Sequence, residues 1–229
     1  MATIGVYDSG IGGLTTLKIL LEKFAGNDFY YLADNASHPF GNKDEKQLEN
    51  IVYDGVCKLK NNSDYVVLAC NTASTVYKEK DVFKLLPKIP HDTTDCLLLA
   101  TEFTLEHTDT GKIETADTRD LASMIEVQAS INCKNDSLSM NALLPYLACR
   151  LFKFKGVKKV ILGCSHYPYC KKEISTILGD VDFCDGNDCL VGELEKFVAA
   201  TAAQSNVTFK FTGGNEENKY KKILSLLRV

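Results

Sequence analysis

YVVLACNTAST, residues 65–75, is an apolar run that ends on Cys70 and turns at once to the hydrogen-bonding side chains Asn71 and Thr72. KKVILGCSHYPY, residues 158–169, repeats the design: an apolar run, a small residue, Cys164, then Ser165 and His166. A short, unbroken apolar run is the mark of a strand buried on both faces, as in a parallel sheet covered by helices on each side. The flanking sequence supports that reading. TIGVY (3–7) reads as a strand closed by the turn DSGIGG. In the following LTTLKILLEKF, Leu14, Leu17, Leu20, Leu21 and Phe24 share one helical face. NDFYYLAD (27–34) is a second strand, NASHPFGN a loop, and KDEKQLENIVYDGVCKLK (43–60) a helix with an acidic start. Strand, helix, strand, helix, strand predicts a parallel α/β unit.

The second half follows the same grammar. DCLLLAT (95–101) is a strand. Less regular sequence leads to a helix across MNALLPYLACRLFKFKG (140–156), the strand KKVILGC, the helix KKEISTILG and the short strand VDFCD. DCLVGELEKFVAATAA (188–203) reads as a helix, NVTFKFTGG as a last strand and ENKYKKILSLL as a last helix. PKIPHDTTD (87–95), with two prolines, reads as the linker between halves. Asp8 and Cys70 stand 62 positions apart, and Thr101 and Cys164 stand 63 apart. The expectation is therefore two pseudo-symmetric α/β lobes with mainly parallel sheets, facing each other across a cleft.

Bulk properties narrow the function classes. With 229 residues, a net charge of −4 and a pI near 5.6, the chain has no basic excess to attract a nucleic-acid backbone. The start MATIGVYDSGIGG lacks a basic region followed by an apolar core, and no apolar run approaches a membrane span. A cytoplasmic protein with reduced thiols, away from membranes, is expected. The nine cysteines include no C-x-x-C pair, so neither a zinc site nor a disulfide framework is expected, and no metal is assigned. GIGG (10–13) resembles a dinucleotide loop, but Thr15 stands where G-x-G-x-x-G needs glycine, and a nucleotide site is rejected. The loop can still offer backbone N–H groups to a carboxylate.

Ligands in open α/β sheets bind beyond the carboxyl ends of the strands, where Asp8, Cys70, Thr101 and Cys164 all fall. A cysteine at a strand end is ordinarily a core residue, a lone histidine ordinarily a surface one, and an aspartate before Ser-Gly ordinarily a helix cap. The arrangement occurs twice, however, each time with polar neighbours. Two thiols facing each other across a cleft suit one reaction class: removal of a proton from one face of a carbon and return of a proton to the other. Asp8 can serve Cys70, and His166 can serve Cys164.

Taken together, IGVYDSGIGGLTTL, DNASHPFG, ACNTAS, LGCSHYP, CDGNDCLVGELEKF and FTGG resemble glutamate racemase, the cofactor-independent branch of the aspartate/glutamate racemase superfamily. The resemblance spans nearly the whole chain. It implies a two-lobed enzyme with residues 1–90 and 183–229 in one lobe and 91–182 in the other. It also implies interconversion of L- and D-glutamate for peptidoglycan of the cell wall, without a cofactor, and leaves a homodimer open. Carried over, Cys164 takes the proton from L-glutamate and Cys70 from D-glutamate, assisted by Asp8 and His166. Ser9, the Phe40–Gly41 backbone, Asn71, Thr72, Thr101, Thr104 and Ser165 would hold the substrate, and Glu126 would support His166; a solvated helix charge is the plainer reading of Glu126. The chain departs from the pattern at Phe40, where tyrosine is usual, and at Asn35 and Ser165, where threonine is usual. The stretches after ACNTAS and before RDLAS are short. Racemisation of aspartate or another carboxylated substrate, and a non-catalytic binding protein on the same fold, are the alternatives. A pyridoxal-phosphate enzyme is disfavoured because no lysine stands at these strand ends.

Overall fold

The computed structural model describes residues 1–90, 95–118 and 120–228. In the first half the elements are β1 (Thr3–Asp8), α1 (Leu14–Lys23), β2 (Asp28–Ala33), α2 (Glu45–Lys60), β3 (Tyr65–Leu68), α3 (Asn71–Val76) and β4 (Phe83–Lys84). The second half holds β5 (Cys96–Ala100), α4 (Glu102–Glu106), β6 (Glu114–Asp117), α5 (Leu121–Asn132), α6 (Leu144–Leu151), β7 (Lys159–Gly163), α7 (Lys171–Leu178) and β8 (Asp182–Cys184). The chain then adds α8 (Asn187–Leu194), β9 (Val207–Phe211) and α9 (Glu217–Leu226).

These strands form two sheets, ordered β4-β3-β1-β2-β9 and β6-β5-β7-β8, and every described pairing is parallel. Read from its other edge, the second sheet runs β8-β7-β5-β6, the same path as β4-β3-β1-β2. The duplication seen as a spacing is thus a duplication of topology. In each lobe the first strand pairs directly with the one that leads to the cysteine, β1 with β3 and β5 with β7. Asp8 and Cys70 therefore emerge from neighbouring strand ends, and so do Thr101 and Cys164.

Alternation along the strands sorts side chains onto two faces. Ile4, Val6 and Val67 join the cluster that holds Leu14, Leu17 and Leu20 of α1. Tyr7, Val66 and Leu68 join Leu48, Val52, Val56 and Leu59 of α2 on the opposite face. In the second lobe Leu97, Leu99, Val160 and Leu162 lie in the same continuous cluster as α1, with Leu121, Ile125, Leu147 and Ile174. Cys96, Leu98 and Ile161 face the other way, with Ile113. One apolar core thus runs through both lobes, and burial of this kind yields about 25 cal/mol per Å² of apolar surface.

Several elements differ from the sequence expectation. Helix α5 and strand β6 occupy the stretch read as irregular. Leu121, Ala122, Ile125 and Ala129 are the buried face of α5, but exposed Val127 and Ile131 blur its amphipathic pattern. The long helix expected across 140–156 is shortened to α6, with a single 3₁₀ turn on each side and Pro145 in the first turn, where its missing N–H costs no hydrogen bond. Helix α8 stops at Leu194, well before the expected end. The 87–95 linker falls partly on residues 91–94, which lie outside the described residues. Among the described residues no helix is long and apolar enough to cross a membrane.

Gly55 carries the contact between α2 and β1. A Cβ there would lie 2.4 Å from Tyr7 Cε2. Tyr7 cannot swing away freely, because its hydroxyl donates to Asp34 Oδ2 at 2.7 Å. Gly55→Ala should therefore destabilise the fold by about 1–3 kcal/mol through overpacking, in spite of the ~1 kcal/mol that alanine gains in helix propensity. The check is the urea unfolding midpoint, and an unchanged or raised midpoint would contradict the packing described.

Candidate active site

The site forms where the carboxyl ends of the two sheets meet. Asp8 ends β1, and the following glycine loop turns its backbone toward the second lobe. Gly10 N–H donates to Asp8 Oδ1 at 2.8 Å, and Ser165 Oγ donates to Asp8 Oδ2 at 2.8 Å. Ile11 N–H donates to Glu126 Oε1 at 2.6 Å, and the Tyr169 hydroxyl donates to Ile11 O at 3.0 Å. The loop contains glycine because nothing larger fits. A Cβ on Gly10 would lie 1.9 Å from Glu126 Oε1, and one on Gly12 would lie 2.6 Å from His166 Nδ1.

Ser9, Phe40, Gly41, Cys70, Asn71, Thr72, Thr101, Cys164, Ser165 and His166 line one small cleft. Asp8, Glu126 and Thr104 stand one layer behind. Asp8 holds Ser165, Glu126 Oε1 lies 3.0 Å from His166 Nε2, and Thr104 Oγ1 lies 3.1 Å from Thr101 Oγ1. A larger inter-lobe cavity of about 400 Å³ borders Thr104, Lys78 and Lys84 but touches neither Cys70 nor Cys164. The cleft with the thiols, about 20 Å³ in this structure, is where both sulfurs are brought to one space.

Both thiols are buried, and all nine cysteines are free. Their surroundings differ. Cys70 Sγ donates to Ser9 Oγ at 4.0 Å, and its thiol is pushed well up, first by burial and then by the Asp8 charge. It rests as a thiol. Cys164 Sγ lies 3.9 Å from His166 Nδ1. Burial opposes protonation of His166, but its bonds to Cys164 and Glu126 outweigh that and raise it well above the ordinary histidine value. Glu126 is opposed by burial too, yet His166 and the Ile11 N–H hold it below the usual carboxylate range. Burial raises Asp8, against the lowering effect of His166 and its hydrogen bonds.

Asp8 makes its side-chain bonds to Gly10 and Ser165, and reaches Cys70 only through its charge. Asn71 is half satisfied: Nδ2 donates to Leu85 O at 3.1 Å, while Oδ1 is buried without a partner among the described residues. Phe40 is buried and its ring packs against Tyr7, while Gly41 lets the loop sit against Thr101.

The sequence reading passed over His38. Its ring centroid lies 5.5 Å from that of His166, and both ring nitrogens are buried without a hydrogen-bond partner among the described residues. Burial, then the neighbouring His166, lowers it to about 4, so it is neutral at neutral pH. His38, Glu126 and His166 bring one ligand atom each within 4.8 Å of one another. These three come from separate segments, so their proximity leaves no spacing pattern along the chain. The one available signal was that His38 sits two residues before Phe40 in a loop already assigned to the site.

No family model matches the chain. The chain is 30% identical over 250 residues to a glutamate racemase of Campylobacter concisus, covering 96% of this chain and 94% of that protein. It is 27% identical over 249 residues to a glutamate racemase of Halothermothrix orenii, covering 98% of each. The crystal structure of glutamate racemase from Francisella tularensis in complex with D-glutamate matches with a TM-score of 0.79 at 21% identity. That match covers 97% of this chain and 93% of that one, and at this identity the likeness is one of fold.

The geometry around His166 makes a spectroscopic prediction. Followed by NMR of its ring protons, His166 should titrate above the ordinary value of about 6.5. Glu126→Gln removes the carboxylate that favours the imidazolium, so the midpoint should fall. A wild-type midpoint at or below the ordinary value, or no change in Glu126→Gln, would contradict the pairing described.

Proposed function

The chain belongs to the glutamate racemase family, and on that premise we propose that it interconverts L- and D-glutamate by two one-sided proton transfers at Cα. The observation that carries this reading is that two buried thiols, from equivalent strand ends of the two lobes, line one cleft. The proposed lobes are residues 1–90 with about 183–229, and 91–182, although the pairing of β8 (Asp182–Cys184) with β7 favours moving the second boundary past Cys184.

In this reading L-glutamate binds with Cα between Cys70 and Cys164. The unpartnered Asn71 Oδ1 accepts from the substrate ammonium. The hydroxyls of Ser9, Thr72, Thr101 and Ser165, and the N–H groups of the Phe40–Gly41 turn, bind its carboxylates. Cys164, as thiolate beside the His166 imidazolium, removes the Cα proton; Cys70, kept protonated by burial, delivers a proton to the opposite face. The two sulfurs exchange roles for the reverse reaction, with Asp8 on the Cys70 side and His166 on the Cys164 side. The difference in environment between the thiols supports this division of labour, because one starts as acid and the other has a cation to stabilise its base form. The reaction calls on no cofactor, and the D-glutamate would serve cell-wall peptidoglycan synthesis in the cytoplasm.

Single-cysteine variants test the reading. Cys70→Ser and Cys164→Ser should each lower full racemisation about a hundredfold or more, the usual contribution of a general acid–base group. Cys70→Ser should keep Cα–H wash-out in D2O from L-glutamate, and Cys164→Ser should keep it from D-glutamate. Asp8→Asn should mimic the first variant mildly and His166→Asn the second. If both cysteine variants lost wash-out from both enantiomers equally, or if either racemised at the wild-type rate, the assignment of one thiol to each face would fall.

A further inference from the structure

We propose that His38, Glu126 and His166 form a divalent-metal site, suited to zinc, on the wall of the cleft beside Cys164. Two imidazoles and one carboxylate are a common donor set for zinc with an open position for water or another ligand. Among the described residues this is the one group of three such side chains whose ligand atoms lie within 4.8 Å of one another.

The geometry needs little adjustment. Zinc bonds to nitrogen and oxygen at about 2.0–2.2 Å, so ligand atoms around a tetrahedral ion lie about 3.3 Å apart. His166 Nε2 and Glu126 Oε1, at 3.0 Å, are already near that spacing. His38 then has at most about 1.5 Å to travel from the 4.8 Å limit. It lies in a loop and is only partly buried, so its ring can turn about Cα–Cβ. Its two buried nitrogens are otherwise unsatisfied, an arrangement that ordinarily demands a partner.

Occupation has a definite chemical consequence. The metal takes Nε2 of His166, releasing that proton to solvent, and fixes the ring's remaining proton on Nδ1. Nδ1–H still faces Cys164, as it does in the imidazolium. Because His38 and His166 line the cleft together with Cys164, the ion occupies the space where the substrate would bind, and the site becomes inhibitory. Binding stands on the geometry alone, whereas the inhibition rests also on the proposed function.

Zinc chloride titrated into the purified protein by isothermal calorimetry tests the binding directly. The wild type should bind one zinc. His38→Gln should weaken binding by at least about 10- to 100-fold, since a direct ligand matters no less than the outer-sphere partners whose loss costs that much. A Cys70→Ser/Cys164→Ser double variant should bind zinc as the wild type does. Circular dichroism melting of each variant separates loss of the site from loss of the fold, and His38→Asn repeats the test if His38→Gln melts early. In parallel, zinc should slow glutamate racemisation by the wild type, with recovery on adding EDTA, and His38→Gln should need at least about tenfold more zinc for the same fractional loss of its own rate. No zinc binding, unchanged affinity in His38→Gln, or loss of binding in the double cysteine variant would overturn the site. Absence of racemisation with zinc binding intact would instead count against the proposed function, and so the two failures are distinguishable.

Discussion

A single carboxylate oxygen, Glu126 Oε1, receives Ile11 N–H from the first lobe and lies within hydrogen-bond reach of His166 Nε2 in the second. The rest of the site depends on that sharing. It fixes which nitrogen of His166 faces Cys164, and it pins the glycine loop against the strand ends of the other lobe. Both effects need the backbone to come closer than any side chain allows, which is why Gly10 and Gly12 stand where they do. The resemblance of this loop to a phosphate cradle is thus a shared solution to close approach, used here to bring a carboxylate to a backbone N–H. Ser165 bonding to Asp8 adds a second tie across the same junction.

The two lobes repeat a topology but not a chemistry. Matching strand orders deliver a thiol to equivalent strand ends, and repetition alone would give two equivalent thiols. The residues packed around them differ. Cys70 has burial and the Asp8 charge, both favouring the thiol, while Cys164 faces His166, whose bonds to Cys164 and then Glu126 favour its cationic form. Symmetric geometry with asymmetric surroundings suits the proposed proton transfers on two faces of one carbon.

Much of this was legible in the sequence. Strands buried on both faces leave unbroken apolar runs, so β1, β2, β3, β5 and β7 were readable along with the thiols at two of their ends. The elements that escaped are those with weak local signals. Strand β4 has only Phe83 and Lys84, and α3 and α4 are too short for a helical period to show. Helix α5 is blurred by small buried residues and exposed aliphatics, and its loss mattered, because Glu126 sits on it and resemblance alone connected it to His166. His38 was missed for a different reason. A single histidine in a loop has no periodicity, and its meaning lies in neighbours that are distant along the chain. The half-used amide of Asn71 is likewise visible only once Leu85 is beside it.

The pairing of β9 with β2 has a consequence for biosynthesis. Register joins Phe29–Ala33 to Val207–Phe211, so the outer edge of β2 stays unpaired until residues 207–211 have left the ribosome. All four strands of the second sheet are made before then. The lobe whose strands β1–β4 precede those of the other sheet is therefore completed after it, and in the interval its bare strand edge can template mispairing between nascent chains. Tyr31, whose ring waits for Phe209 and Tyr220, shares that delay. Synthesis speed across the last segment thus sets how long half of the cleft exists without its supporting wall.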